Sequence, residues 1–150
     1  MENTIRNITV LGAGTMGSAI AEFFAAAGHP VALYSRTEET LVRARAAMAA
    51  DLAMLAETDG PREAADTVLS RVRCFTDLAQ ASAEADWVIE TVAEDAQVKK
   101  AVLEAADRAA PPHAYLTSDT SALNIFSFLE TGRPERVLIT HFFNPASLMP

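Results

Sequence analysis

The feature that most constrains this chain is a glycine pattern close to its N-terminus. An apolar run from Ile8 to Leu11 ends in three glycines with the spacing G-x-G-x-x-G, and a helical pattern follows. Gly12 lets the chain leave the strand in a tight turn, Gly14 leaves room for a pyrophosphate, and Gly17 lets the helix approach the sheet. Free amides at the start of that helix would face the phosphates. The residues predicted to bind a dinucleotide here are Gly12, Ala13, Gly14, Thr15, Met16 and Gly17.

Strand-like and helix-like segments alternate along the whole chain. Strands are predicted at 7–11, 30–34, 71–75, 86–92, 114–118 and 136–140. Helices are predicted at 15–27, 37–57, 62–69, 77–82, 95–109 and 122–130. This alternation is typical of an α/β fold with a doubly wound parallel sheet, the Rossmann dinucleotide-binding fold. The long, alanine-rich 37–57 helix is expected to project from the sheet, and residues 1–150 are interpreted as one domain.

Composition excludes several classes of partner. Twenty acidic residues against twelve basic ones give a formal charge of -8, which argues against nucleic acid as a partner. The apolar runs are too short to span a membrane, and the polar N-terminal segment does not resemble a signal peptide. With Cys74 as the single cysteine, neither a disulfide framework nor a cysteine-based metal site is expected. No metal is predicted, and a reducing, cytoplasmic location is expected.

The end of the second predicted strand bears on the choice of cofactor. Dinucleotide folds that bind NAD place a carboxylate at this point, where it accepts a hydrogen bond from the ribose 2'-hydroxyl. This chain has Ser35 and Arg36 instead, which suit a 2'-phosphate and favour NADP, with NAD still possible. Glu38 and Glu39 would repel that phosphate if they pointed inward. The alternative is that Ser35 is a turn residue and Arg36 is solvated.

A second polar cluster follows the last two predicted strands. His141 begins the sequence His-Phe-Phe-Asn-Pro, and Ser121 closes a Thr-Ser turn one strand earlier. Because ligands bind beyond the carboxyl ends of parallel strands, His141 is a candidate to accept a proton there. The hydroxyls of the Thr-Ser turn would bond a substrate oxygen or cap a following helix. His29 and His113 are interpreted as loop residues.

Several motifs together resemble the N-terminal domain of L-3-hydroxyacyl-CoA dehydrogenases, and the likeness extends over essentially the whole chain. The motifs are the glycine loop, Val88-Ile89-Glu90, Glu94 with Val98-Lys99-Lys100, Ser118-x-Thr120-Ser121, Gly132-Arg133-Pro134-Glu135-Arg136 and His141-Phe142-Phe143-Asn144-Pro145. The resemblance implies that His141 is the general base and that Ser121 hydrogen-bonds the reacting oxygen and lies at the cofactor. It also implies that Glu94, Lys99 and Asn144 contact the cofactor, and that the substrate is an acyl thioester of fatty acid metabolism.

This chain departs from the family at several positions. Ser35 stands where the family usually has an acid, and Asp119 replaces the usual Asn before Thr-Ser. Residues 41–57 contain no lysine for the CoA end, so a carrier-protein thioester or a free 3-hydroxy acid also fits. The family continues into a helical domain that supplies most of the homodimer contact, and the glutamate that orients the histidine comes shortly after the position of Pro150. The chain of 150 residues is therefore expected to turn over weakly or not at all by itself.

Two other interpretations are considered. A hydroxy-acid dehydrogenase of the hydroxyisobutyrate type shares a Gly-x-Gly-x-Met-Gly loop and often an Arg-Thr pair, here Arg36-Thr37. That group uses a lysine base and would not carry the His-Phe-Phe-Asn-Pro sequence that begins at His141. A non-catalytic dinucleotide-binding module is the other alternative.

Overall fold

A computed structural model describes residues 4–58 and 63–143. Its strands are β1 (Ile8–Leu11), β2 (Val31–Tyr34), β3 (Val72–Phe75), β4 (Trp87–Glu90), β5 (Tyr115–Ser118) and β6 (Val137–Ile139). Its α-helices are α1 (Thr15–Ala26), α2 (Glu38–Thr58), α3 (Ala65–Ser70), α4 (Leu78–Ser82) and α5 (Ala96–Ala109). All six predicted strands are present, each a little shorter than its predicted range.

The strands form one parallel sheet in the order β3-β2-β1-β4-β5-β6. The order reverses beside β1, which makes the gap between β1 and β4 the expected ligand crevice. In register, Leu11 lies opposite Tyr34 on one side and opposite Glu90 on the other. Glu90 in turn lies opposite Ser118, and Ser118 lies opposite Ile139. The carboxyl ends of the strands are therefore aligned, and the loops that follow them share one edge.

Both faces of the sheet are covered, as a doubly wound fold requires. Ile8 and Val10 of β1 belong to a core with α1, α2 and α3, while Leu11 belongs to a second core with Val88 and Leu116. The alternation follows from the two-residue period of a strand, which sends successive side chains to opposite faces. Because side chains on both faces are buried, the strands that flank the crevice are held in place by the two cores.

Two sequence predictions are wrong in detail. Helix α2 does not project freely, because one face of it is buried along its length by residues at helical spacing: Leu41, Ala44, Met48, Leu52 and Leu55. The predicted helix at 122–130 is reduced to a single 3₁₀ turn, Ile125–Ser127. There the hydroxyl of Thr120 accepts from the amides of Ala122 and Leu123, and the Ser127 hydroxyl donates to the Asn124 carbonyl. These local bonds compete with helical ones.

None of the helices in residues 4–58 and 63–143 is both long and apolar enough to cross a membrane. In the same two segments, no group of three or more His, Cys, Asp or Glu residues is placed to hold a metal ion.

Candidate functional site

The glycine loop has the geometry that its spacing predicts. Gly12 adopts a φ of +117°, and a Cβ there would lie 2.8 Å from Oγ1 of Thr91. A Cβ on Gly17 would lie 1.8 Å from the carbonyl oxygen of Gly12, so α1 contacts the loop directly. By contrast, a Cβ on Gly14 would meet nothing within 4 Å. Gly12 and Gly17 are thus required for packing, whereas Gly14 faces open space at the mouth of the crevice.

That open space is suited to an anion. Gly14 is the N-cap of α1 in an extended conformation, and it provides no side-chain cap for the first amides of the helix. The amides of the first turn lack helical acceptors, and the helix dipole adds positive potential at this end. Thr15 and Met16, the first two helical residues, complete the loop. The site therefore has the donors and the free volume that a pyrophosphate needs.

Thr91 holds the loop against the sheet, a role that the sequence did not indicate. Its amide donates to the carbonyl of Leu11 over 2.8 Å, and its hydroxyl donates to the carbonyl of Gly12 over 3.0 Å. The link joins the ends of β1 and β4 at the crevice. Nothing in the sequence marks Thr91, because its partners are backbone atoms eighty residues away.

A cleft of about 430 Å³ extends from the glycine loop to the end of β2. Its polar wall is formed by Ser35, Arg36 and Thr37, and its apolar wall by Val92, Val98 and Val102. An apolar wall facing a polar, cationic one suits an adenosine with a charged or hydroxylated ribose. Glu38 lines a different cavity, together with Arg45 and Cys74. Glu38 is not among the residues that line the cleft.

Lys99 lies beneath the crevice edge and not on its surface. Its ammonium is 2.8 Å from Oε1 of Glu90 and 3.2 Å from both the Val92 carbonyl and Oε2 of Glu94. Only 2 % of the Lys99 side chain is exposed. The three donors of the ammonium face these three oxygens. In this arrangement Lys99 contacts Glu94, and the cofactor contact that the resemblance implied for Lys99 stays a prediction.

Glu94 connects the loop after β4 with the loop after β5. Its carboxylate accepts a short hydrogen bond from the Thr120 hydroxyl and another, over 3.3 Å, from the Ala122 amide. Partial burial raises the pKa of Glu94, but the hydrogen bonds from Thr120 and Lys99 outweigh burial and hold the pKa below its usual range. An ionised Glu94 is thus fixed beside Ser121, the residue between its two hydrogen-bond donors.

Ser121 and His141 follow adjacent strands at the same edge. Ser118 of β5 lies opposite Ile139 of β6, so the two residues come shortly after positions that are level in the sheet. Both side chains are exposed, and a cavity of about 300 Å³ is lined by Ser121 together with Ile139. The His141 ring packs against Phe143 with centroids 4.8 Å apart. Both residues therefore follow strand ends on the same edge of the sheet as the glycine loop.

Asp119 ties the segment that carries His141 to β5. Its Oδ1 accepts a hydrogen bond from the Phe142 amide over 2.6 Å, and its own amide donates to the Glu90 carbonyl over 2.9 Å. Burial raises the pKa of Asp119, while the Phe142 amide and the charges of His141 and Lys99 oppose that effect. The aspartate that departs from the family pattern is thus a backbone anchor beside the candidate base.

The other histidines serve the scaffold. His29 contacts the carbonyl of Arg6 at 3.1 Å, and His113 contacts Oδ1 of Asp86 at 2.8 Å. Both positions lie in loops away from the crevice edge, as predicted. Asn144, predicted to contact the cofactor, lies outside the described residues.

Glu90 appeared in the sequence only as part of a family motif, and its structural role in this site was not predicted. Its side chain is fully buried, and its carboxylate accepts from Lys99, from the Val92 amide over 2.6 Å and from the Ser118 hydroxyl over 2.5 Å. A glutamate at the end of an apolar strand was the available signal, since a buried acid requires partners. The sequence could not name those partners, because they come from the next helix and the next strand.

Fold and site together define a dinucleotide-binding domain of the doubly wound class. A glycine loop with phosphate-binding geometry lies at the crevice, and a histidine and a serine follow two neighbouring strands at the same edge of the sheet. A family model described as "3-hydroxyacyl-CoA dehydrogenase, NAD binding domain" matches residues 7–150. The chain belongs to this family, as the resemblance indicated, and the match decides against the hydroxyisobutyrate type.

Individual relatives agree with this assignment. The chain is 39 % identical over 147 residues to 3-hydroxyadipyl-CoA dehydrogenase of Escherichia coli K12, covering 97 % of this chain and 31 % of the relative. It is 37 % identical to a probable 3-hydroxybutyryl-CoA dehydrogenase of Bacillus subtilis, covering 97 % of this chain and 51 % of the relative. A solved structure of 3-hydroxybutyryl-CoA dehydrogenase from Escherichia coli K12 superposes with a TM-score of 0.91 at 38 % identity, over 97 % of this chain and 31 % of that one. The chain thus spans about a third to a half of the length of these relatives.

Proposed function

We propose that this chain is the cofactor-binding half of an oxidoreductase that interconverts the 3-hydroxy and 3-oxo groups of an acyl thioester. The observation that carries the proposal is spatial: the glycine loop and the pair Ser121 and His141 stand along one edge of the sheet. A bound dinucleotide with its phosphates at the loop would extend along this edge. The names of the relatives supply the substrate class, since those enzymes are dehydrogenases of 3-hydroxyacyl-CoA compounds.

The proposed chemistry assigns a separate role to each residue. The nicotinamide, when bound, accepts the hydride from C3 of the substrate or returns it in the reverse direction. His141 takes the proton of the 3-hydroxyl as the oxygen becomes a carbonyl, because a neutral imidazole is basic enough to do so near pH 7. Ser121 donates a hydrogen bond to the same oxygen. Asp119 keeps the His141 segment in place through the Phe142 amide.

The cofactor proposed here is NADP, within a family whose description names NAD. The proposal rests on Ser35 and Arg36, which line the cleft where a carboxylate would bind a ribose 2'-hydroxyl. The position of Glu38 in a different cavity removes one source of repulsion for a 2'-phosphate. A guanidinium contact with a phosphate is charge-assisted and typically contributes about 1.5 to 3 kcal/mol.

Fluorescence titration of the chain with NADPH and NADH tests the cofactor choice. NADPH is expected to bind more tightly, and Arg36→Ala is expected to remove most of that preference. Arg108→Ala, at the end of α5, is a matched control that removes a guanidinium elsewhere. Tighter binding of NADH by the unmodified chain would contradict the choice of NADP while leaving the dinucleotide site itself in place.

The residues of this chain do not identify the group that carries the acyl chain of the substrate. CoA is the carrier named for the relatives, yet α2 offers Arg43 and Arg45 and no lysine between residues 41 and 57. We propose a CoA or carrier-protein thioester as substrate. We also propose a second domain that completes the crevice and supports a homodimer, and a cytoplasmic location.

A chimera that joins residues 1–150 to the C-terminal part of the Bacillus subtilis relative should oxidise 3-hydroxybutyryl-CoA. A chimera that folds and binds the dinucleotide but is inactive would favour the non-catalytic alternative.

A further inference from the structure

A second cavity adjoins the cofactor cleft on the far side of the glycine loop. It has a volume of about 370 Å³ and lies between α1 and α2. Ala13, Gly14 and Thr40 line both this cavity and the cleft that contains Arg36. The two spaces therefore meet beside the loop, at the start of α2.

Polar side chains at this junction form a connected group. The hydroxyls of Thr37 and Thr40 are 2.9 Å apart, and a guanidinium nitrogen of Arg43 is 3.3 Å from Oγ1 of Thr40. Thr40 and Arg43 are three apart along α2, so they share one face of its first two turns, and Thr37 immediately precedes the helix. This face is directed toward Gly14, since Thr40 and Arg43 line the same cavity as the loop.

The guanidinium groups of Arg36 and Arg43 are not neutralised by a carboxylate among the described residues, so they could bind an anionic ligand. Three other arginines pair with carboxylates: Arg71 with Glu63, Arg73 with Glu84 and Arg133 with Asp107. Arg45 and Arg136 instead donate to backbone carbonyls, those of Val72 and His113. Neither Arg36 nor Arg43 has an ion-pair partner among the residues that the structure describes. Two guanidiniums without carboxylate partners thus stand on either side of Thr40.

We infer that Thr40 and Arg43 form a second wall of a 2'-phosphate subsite, opposite Arg36, and are specificity-determining residues for NADP. The inference rests on the proposed NADP preference and extends it to residues outside the strand-end position. A phosphate placed at the junction would receive hydrogen bonds from the two threonine hydroxyls and from guanidiniums on two sides. The N-terminus of α2 adds its dipole to the same position.

The acidic groups nearby do not occupy the junction. Glu22 and Asp51 line the opposite end of the α1–α2 cavity. Seven residues separate Thr15 from Glu22 on α1, which corresponds to about 10 Å along the helix. Glu38 and Glu39, in the first turn of α2, are not among the residues that line either cavity. The cationic end is therefore the one that faces the loop.

The test compares dissociation constants of the chain for NADPH and NADH. Arg43→Ala is expected to weaken NADPH binding about tenfold and to change NADH binding by less than about twofold, because only NADPH carries the 2'-phosphate. Thr40→Val should act in the same direction with a smaller loss, and Arg43→Lys should retain part of the affinity. Arg73→Ala, which removes a guanidinium from β3, serves as control. Circular dichroism of each variant verifies the fold.

Truncated probes isolate the phosphate itself. Adenosine 2',5'-bisphosphate should lose affinity for Arg43→Ala, whereas adenosine 5'-monophosphate should not. An unmodified chain without preference for NADPH would overturn the proposed cofactor and this inference together. A chain that prefers NADPH and loses the preference in Arg36→Ala, but not in Arg43→Ala, would overturn this inference alone. Equal weakening of both cofactors by Arg43→Ala would also overturn it.

Discussion

The ammonium of Lys99 lies 2.8 Å from Oε1 of Glu90, and both side chains are closed to solvent, with exposures of 2 % and 0 %. The pair links α5 to the end of β4 beneath the crevice. Glu90 also accepts from Ser118, and Lys99 also contacts Glu94, so the pair supports the loops after both β4 and β5. The loops of the candidate site are therefore supported by a charge pair that is closed to solvent.

Lys99→Met should destabilise the chain strongly, since it leaves the Glu90 carboxylate buried without its counter-charge. Breaking one partner of a buried pair typically costs about 3 to 5 kcal/mol. The double variant Lys99→Met with Glu90→Gln should recover part of that loss. Urea denaturation of the parent, the single variants Lys99→Met and Glu90→Gln, and the double variant measures the coupling. Equal stability of the single and double variants would show that the two groups are not energetically paired.

Gly14 and Gly17 should respond oppositely to added side chains. Gly14→Val has free space around its Cβ, so it should keep the fold but block the pyrophosphate and abolish dinucleotide binding. Gly17→Ala would place a methyl group 1.8 Å from the Gly12 carbonyl and should disrupt packing of α1. Circular dichroism and cofactor titration separate the two effects. Retained binding in Gly14→Val would mean that the loop does not hold the phosphates.

Glu22 should make stability depend on pH. Burial, together with the charge of Asp51, raises the pKa of Glu22 from 4.5 to about 7. Because the folded state then binds the proton more tightly than the unfolded state, stability falls as pH rises from about 4.5 to 7. Glu22→Gln removes this ionisation and should be more stable than the parent at pH 8, by on the order of 2 kcal/mol.

The gap between Glu22→Gln and the parent should shrink toward zero as the pH is lowered to about 4. Thermal denaturation at several pH values measures it, and Glu39→Gln, at an exposed position on α2, is the control. A gap that does not vary with pH would show that Glu22 ionises alike in the folded and unfolded states.

His141→Ala should reduce turnover far more than cofactor affinity. In the chimera described above, loss of a general base is expected to lower kcat about a hundred- to ten-thousandfold, and Ser121→Ala should act in the same direction but less severely. The chain of 150 residues should bind the dinucleotide with or without His141, because the glycine loop and Arg36 both lie within it. Full activity of the His141→Ala chimera would contradict the assignment of the base.

The sequence by itself determined the class of fold, the dinucleotide loop and the family. These are local properties: the spacing from Gly12 to Gly17, the alternation of strand and helix periods, and contiguous motifs such as the one that begins at His141. Backbone freedom and side-chain periodicity act within a few residues, so the features that depend on them can be recognised directly in the sequence.

Only the tertiary structure decided which side chains meet. It buried Lys99 against Glu90, placed Glu38 in a cavity separate from the cleft, and brought Thr40 and Arg43 to the edge of the glycine loop. It also reduced the predicted 122–130 helix to one 3₁₀ turn, because Thr120 and Ser127 satisfy the local backbone in another way. These outcomes depend on hydrogen bonds and ion pairs between segments that are distant in sequence or compete within it. Such contacts are set by packing, and the spacing of residues along the chain does not specify them.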